Sequence, residues 1–181
     1  MSYEAIGALA AAGTFIVITA TAVAALIQLR HMRVSNQLEI LLTLIHMPLE
    51  PKLNEAFNFC SHDLARLMED DAFRDQLEKQ RPLDRTVHKE LYVCDYYERI
   101  GSAIKYGLIS AAMYLDNSSP LQYWHMLGPA IALMRRERGP WVYENFEYLA
   151  MIAQRWDSQH PAGNYPPGEP RLKLDEWKKK V

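Results

Sequence analysis

The sequence predicts an all-α fold: one N-terminal transmembrane helix followed by a compact bundle of about five or six helices. Three observations carry this. Residues 5–29 form a run of 25 residues without a charge, 19 of them hydrophobic. From residue 48 to 156 the apolar positions recur at three and four residues, with prolines and glycines as punctuation. No window shows sustained alternation of apolar and polar residues bounded by turn signals, the pattern a half-buried strand requires.

As a helix the apolar run is about 37 Å long at 1.5 Å per residue, enough to cross a hydrocarbon core of about 30 Å. Its rival reading is a cleaved signal peptide, because Ala22-Val23-Ala24 has the small-x-small form of a cleavage site. Before the run, however, stands Glu4 with no Lys or Arg, where a signal peptide needs basic residues. The basic cluster lies on the far side, as Arg30, His31 and Arg33. By the positive-inside rule Arg30 and Arg33 hold the C-terminal side in the cytoplasm. The expected layout is a short extracytoplasmic N-terminus (1–4), the membrane helix (5–29), a juxtamembrane helix continuing it (30–47), a cytoplasmic helical domain (48–156), and a Pro-rich linker with a basic amphiphilic tail (157–181). The location this implies is the bacterial inner membrane, crossed once. Export of the helical domain is the competing placement.

Beyond the run, Ile27, Val34, Leu38, Leu41 and Ile45 continue an alternating three-and-four spacing, with His31 at a seam position. That is the pattern of a short parallel coiled coil. The favoured reading is that this face packs on the protein's own domain.

Pro48 and Pro51 break this first helix, since a proline removes a donor and pushes its predecessor out of the helical region. The next helix carries Leu53, Ala56, Phe57, Cys60, Leu64, Leu67 and Met68 on one face, and Phe73 with Leu77 extends an apolar face toward Lys79. Asp84 is the expected N-cap of a helix over 85–106, with Val87, Leu91, Cys94, Tyr97, Ile100, Ala103 and Ile104 inward. A short helix over 109–115 closes at Asp116-Asn117-Ser118-Ser119. Ser119-Pro120 opens another, which runs to Arg138 with an expected kink at Pro129, and the last strong helix covers 141–156.

Chemical motifs are sparse. Neither Cys-x-x-Cys nor His-x-x-x-His occurs, and Cys60 and Cys94 lie on apolar faces where a free thiol behaves as a small hydrophobe. Phosphate-cradling glycine loops and serine-nucleophile signatures are missing, so no cofactor and no metal are expected. With 20 Lys+Arg against 22 Asp+Glu, the charge balance gives no footprint for nucleic acid. The polar residues that stand out are Glu98, beside Tyr97, then Arg135, and Glu147. Arg135 is the expected partner of Glu98, and Glu147 is expected to pair with Arg136 or Arg138. Tyr97, Tyr123 and Trp124 supply the aromatic surroundings. Ion pairs that lock helices together are the favoured role for this set; the alternative is a polar pocket for a small anionic molecule, in a sensor or an enzyme.

Four stretches resemble an uncharacterised bacterial family known as domain of unknown function 4760: Tyr97-Glu98-Arg99-Ile100-Gly101, then Tyr106-Gly107-Leu108-Ile109, then Tyr123-Trp124 with Pro129, Ile131 and Arg135, and finally residues 143–149. The resemblance spans 53–156. It implies a short protein with an N-terminal membrane helix before a helical domain, and it suggests that Glu98, Trp124, Arg135 and Phe146-Glu147 form one spatial cluster. No activity comes with it. The function expected is therefore that of a non-enzymatic, membrane-anchored helical interaction or regulatory module, with the lipid bilayer and either a second copy or another protein as partners.

Overall fold

The computed structural model describes residues 3–172; the expected amphiphilic tail, with Leu174, Trp177 and Lys178-Lys179-Lys180, lies outside the described residues. Eight α-helices and no strand occur among the described residues, so the class is all-α. The first, α1 (Tyr3–His46), is 44 residues long and unbroken, about 66 Å at the standard rise. By length and composition it is the one helix among the described residues apolar enough to cross a membrane, and its apolar window is not buried in the protein. A signal sequence near an N-terminus meets the same measure.

Pro48 and Pro51 act as expected: a 3-10 turn, Met47–Leu49, ends α1, and α2 (Pro51–His62) starts with proline at its first position. The single amphipathic helix expected through Met68 is instead split into α2 and the one-turn α3 (Leu64–Leu67), with Asp63 between them. Then α4 (Asp71–Lys79) opens under an N-cap from Asp70, whose side chain accepts from the Ala72 N–H at 2.8 Å.

The start of the next helix differs from the sequence expectation. Asp84 does not cap it; its carboxylate accepts from the N–H and the hydroxyl of Thr86 (2.8 and 2.7 Å) and organises a separate turn, so that α5 begins at Glu90 (Glu90–Lys105). The local bonds to Asp84 satisfy that turn before the helix can use it as a cap. As a result Val87, expected inward, is exposed, while His88 and Glu90 take the buried positions. The rest of the α5 stripe follows expectation, with Leu91, Cys94, Tyr97, Ile100 and Ile104 buried and Ala103 partly buried against the core.

After α5 come α6 (Ala111–Leu115), α7 (Pro120–Arg138) and α8 (Glu144–Gln159). Helix α7 continues through Pro129, whose ring sits on an exposed face. It ends at Gly139, where φ is 95° and the Trp141 ring lies against the backbone, so that a Cβ would meet both a forbidden dihedral and the indole. Helix α8 starts three residues later than expected, because residues 140–143 form the turn and Tyr143 takes φ 56°.

Helix α5 is the centre of the bundle, packed mainly on α8 and also on α2, while α7 bridges α4 and α8. The α5–α8 contact is close at Gly101, where a Cβ would overlap the Asn145 carbonyl. The bundle meets α1 only near its C-terminal end. Leu41 and Leu44 join the core, the Tyr96 hydroxyl donates to the Leu44 carbonyl at 3.0 Å, and Gln37 reaches the Gly107 carbonyl at 3.4 Å. Upstream, Ile27, Val34 and Leu38 of the expected seam are exposed, so that stripe divides: only its C-terminal part packs on the protein's own domain. The Ile45 side chain lies outside the described residues.

Candidate functional site

The six residues singled out in the sequence lie in one neighbourhood, joined through Phe146 on the first turn of α8. The Tyr97 ring stacks on Phe146 (centroids 4.8 Å, planes 15° apart), and Tyr123 lies 5.5 Å from Tyr97. Trp124 meets Phe146 edge-on at 5.1 Å, and the Arg135 guanidinium lies 5.7 Å from the Trp124 ring. Arg135 and Glu147 form an ion pair, Nη1 to Oε2 at 2.7 Å.

The expected Glu98–Arg135 pair is not made. Glu98 instead accepts from Asn145 Nδ2 at 2.7 Å and from the Phe146 backbone N–H at 2.9 Å. Both oxygens of one carboxylate therefore serve the N-terminus of α8 from the neighbouring helix. The first N–H groups of a helix lack partners within it and carry partial positive charge, so an anion placed there is favoured. Tyr143, at the N-cap position, has no side-chain hydrogen bond to the helix, and Glu98 takes over that role.

Arg135 is used just as fully. Its Nε donates to the Val142 carbonyl at 2.9 Å and its Nη2 to the Tyr143 carbonyl at 3.4 Å, which fixes the turn that delivers α8. The turn is held from α5 as well, by the Tyr143 hydroxyl donating to Asp95 at 3.2 Å, while Arg85 pairs with Asp95 at 2.6 Å. Burial pushes the Tyr143 phenol well above its usual range, so it remains a donor. Arg136 approaches Glu78 at 3.6 Å and Arg138 donates to the carbonyls of Leu77 and Gln80, so neither is the partner of Glu147. The arrangement clasps α8 onto α5 and α7. Both oxygens of Glu98 and all three guanidinium nitrogens of Arg135 take part in it.

Sequence reasoning missed a second polar group. His88 and Glu90 are both fully buried, with Nδ1 2.8 Å from Oε1, and His88 Nε2 lies 3.1 Å from Gln76 Oε1. Phe73 covers the imidazole at 4.5 Å between centroids, and Glu90 Oε2 has no partner. A signal existed: His88 stands three residues before Leu91, and Glu90 three before Val93, both at stripe spacing. Cys60 and Cys94 are buried free thiols. Burial first, then the Glu90 charge, pushes the Cys60 thiol up to about 12, and burial raises Cys94 as well. No group that could hold a metal ion occurs among the described residues.

One concavity was also invisible in the sequence. A cavity of about 380 Å³ is walled by Phe57 of α2, Tyr96 and Tyr97 of α5, Tyr114 of α6 and Tyr123 of α7, with Pro48 and Leu49 also in its lining. Neither Glu98 nor Arg135 lines it. Its rings come from four helices at no regular spacing, so only folding assembles them.

Neither a curated protein nor a solved structure matches this chain. A family model does, the domain of unknown function DUF4760, over residues 15–156. That match begins inside the apolar part of α1 and ends in α8, taking in the clasp, the buried His88–Glu90 pair and the tyrosine cavity, and by it the chain belongs to the DUF4760 family.

Proposed function

We propose that this protein is a single-pass, membrane-anchored interaction module of the bacterial inner membrane, its N-terminus outside and its helical bundle cytoplasmic, and that it works by self-association. The observation that carries this reading is the unbroken α1, which leads from the apolar run into the core of the bundle without a hinge and leaves Ile27, Val34 and Leu38 exposed on the way. A second α1 laid parallel covers these positions at coiled-coil spacing. Arg30 and Arg33 set the orientation. The clasp supports a scaffold over a catalyst, because its charged groups are engaged with one another and with backbone. An anchored bundle meets neighbours at a raised local concentration, which favours weak partners.

Cysteine cross-linking in membranes tests the pairing, with the native thiols buried and silent. Val34→Cys and Leu38→Cys are expected to give disulfide dimers under mild oxidation and Asn36→Cys none. Equal cross-linking at all three positions, or only monomers, speaks against a specific α1 pair. The anchor itself is tested by alkaline washing: the full chain stays with the membranes, and recovery in the aqueous fraction removes that part of the reading.

A further inference from the structure

The tyrosine cavity has the features of a binding site, and they specify a chemistry. Its volume of about 380 Å³ falls within the usual span for small-molecule sites, about 300–1,000 Å³. No Asp, Glu, Lys, Arg or His lines it. A charged ligand would lose its water there without gaining a counter-ion, a penalty that nothing offsets for an anion and that the ring faces offset only in small part for a cation, so neutral ligands are favoured. The walls are mostly aromatic, with Asn54, Asn117 and Ser118 completing the lining, and Phe57 makes edge contacts with Tyr96, Tyr97 and Tyr123 at 5.8, 6.1 and 5.0 Å. Faces and edges so arranged favour a flat ring.

Tyr97 supplies the specific polar contact. Its side chain is 3% exposed, yet its hydroxyl makes no hydrogen bond to any described residue. The buried orphan atoms among the described residues are Glu90 Oε2 and Arg138 Nε, so the Tyr97 hydroxyl meets open space rather than packed protein. Burial pushes this phenol far up, which keeps it a donor at any physiological pH. The Ser118 and Tyr96 hydroxyls are already committed, Ser118 donating to Tyr114 at 3.0 Å and Tyr96 to the Leu44 carbonyl of α1.

We propose that this cavity binds an uncharged small molecule that carries a flat, aromatic-type ring and a hydrogen-bond acceptor, with Tyr97 Oη donating to that acceptor. Such a ligand touches Pro48 and Leu49, and through Tyr96 it adjoins the bond that fixes the end of α1. The site is distinct from the clasp, and it stands whether or not α1 pairs with a second copy.

Three near-isosteric probes test it by saturation-transfer NMR on the full chain in lipid nanodiscs: benzamide (neutral), benzoate (anion) and benzylamine (cation). Benzamide is expected to bind saturably with a dissociation constant of about 1 mM or tighter, and the two ions at least about tenfold more weakly. Tyr97→Phe is expected to weaken benzamide about fivefold, the loss of one hydrogen bond, without moving the melting temperature. Non-saturable benzamide, benzoate or benzylamine binding as tightly as benzamide, or an unchanged constant in a folded Y97F variant overturns the proposal. The charge series needs no substitution and decides the question on its own should Y97F fail to fold.

Discussion

Glu98 earns its place by what it accepts. Removing it strips Asn145 Nδ2 and the Phe146 N–H of their partner at a half-buried helix start, a loss worth roughly 1–3 kcal/mol. Glu98→Ala is therefore expected to lower the denaturation midpoint clearly, whereas Glu147→Ala, which breaks a pair on a half-exposed carboxylate, costs about 0–1 kcal/mol; urea titration of both variants checks the order. The thiols give a second expectation at this scale. Cys60 and Cys94 are buried and held protonated, so iodoacetamide at pH 8 labels them only after unfolding. The same shift fixes a pH dependence. The unfolded Cys60 thiol ionises from 9.0 and the folded one near 12, so its contribution to stability is complete below 9.0 and is lost as pH climbs toward 12. Denaturant midpoints at successive alkaline pH values are expected to fall accordingly. The sequence made Glu98, Arg135 and Glu147 conspicuous, because charged residues beside an inward stripe must find partners. It could not say which, since the choice depends on Tyr143 turning left-handed and presenting the α8 N–H groups to Glu98.

Among the elements, α5 and α8 form the decisive contact, and one glycine sets their distance. Gly101→Ala adds a methyl where the Asn145 carbonyl already sits. Helix propensity alone would favour that change by about 1 kcal/mol. The overlap reverses the sign, and the variant is expected to lose roughly 1–3 kcal/mol or more, seen as a depressed melting temperature by circular dichroism. Element boundaries show where reading stops. Helices punctuated by proline, such as α2 and α7, began where the sequence indicated, because a proline constrains the backbone locally. The start of α5 did not, since Asp84 had two local outlets for its carboxylate, a helix cap or a turn with Thr86, and the turn won. The buried His88–Glu90 pair follows from that later start, and it explains why two polar residues lie where an exposed valine was expected inside.

At the level of the whole molecule, the all-α class and the long apolar helix were legible because both rest on periodicity and length. The cavity was not, because its five rings converge from four helices and the sequence carries no trace of their proximity. The division of the α1 stripe was also hidden: the spacing is continuous from Ile27 to Leu41, and only the fold shows where the bundle begins to cover it. Because α1 has no break between its apolar run and Leu44, it acts as a rigid shaft, and the azimuth of the bundle is geared to that of the apolar run. Each residue inserted between 30 and 36 would turn the bundle by about 100° and raise it by about 1.5 Å, while seven would bring it back to within about 20° of its starting bearing. For any partner seated beside the shaft, an insertion ladder would thus make function rise and fall with helical phase, with seven residues restoring what one or two abolish.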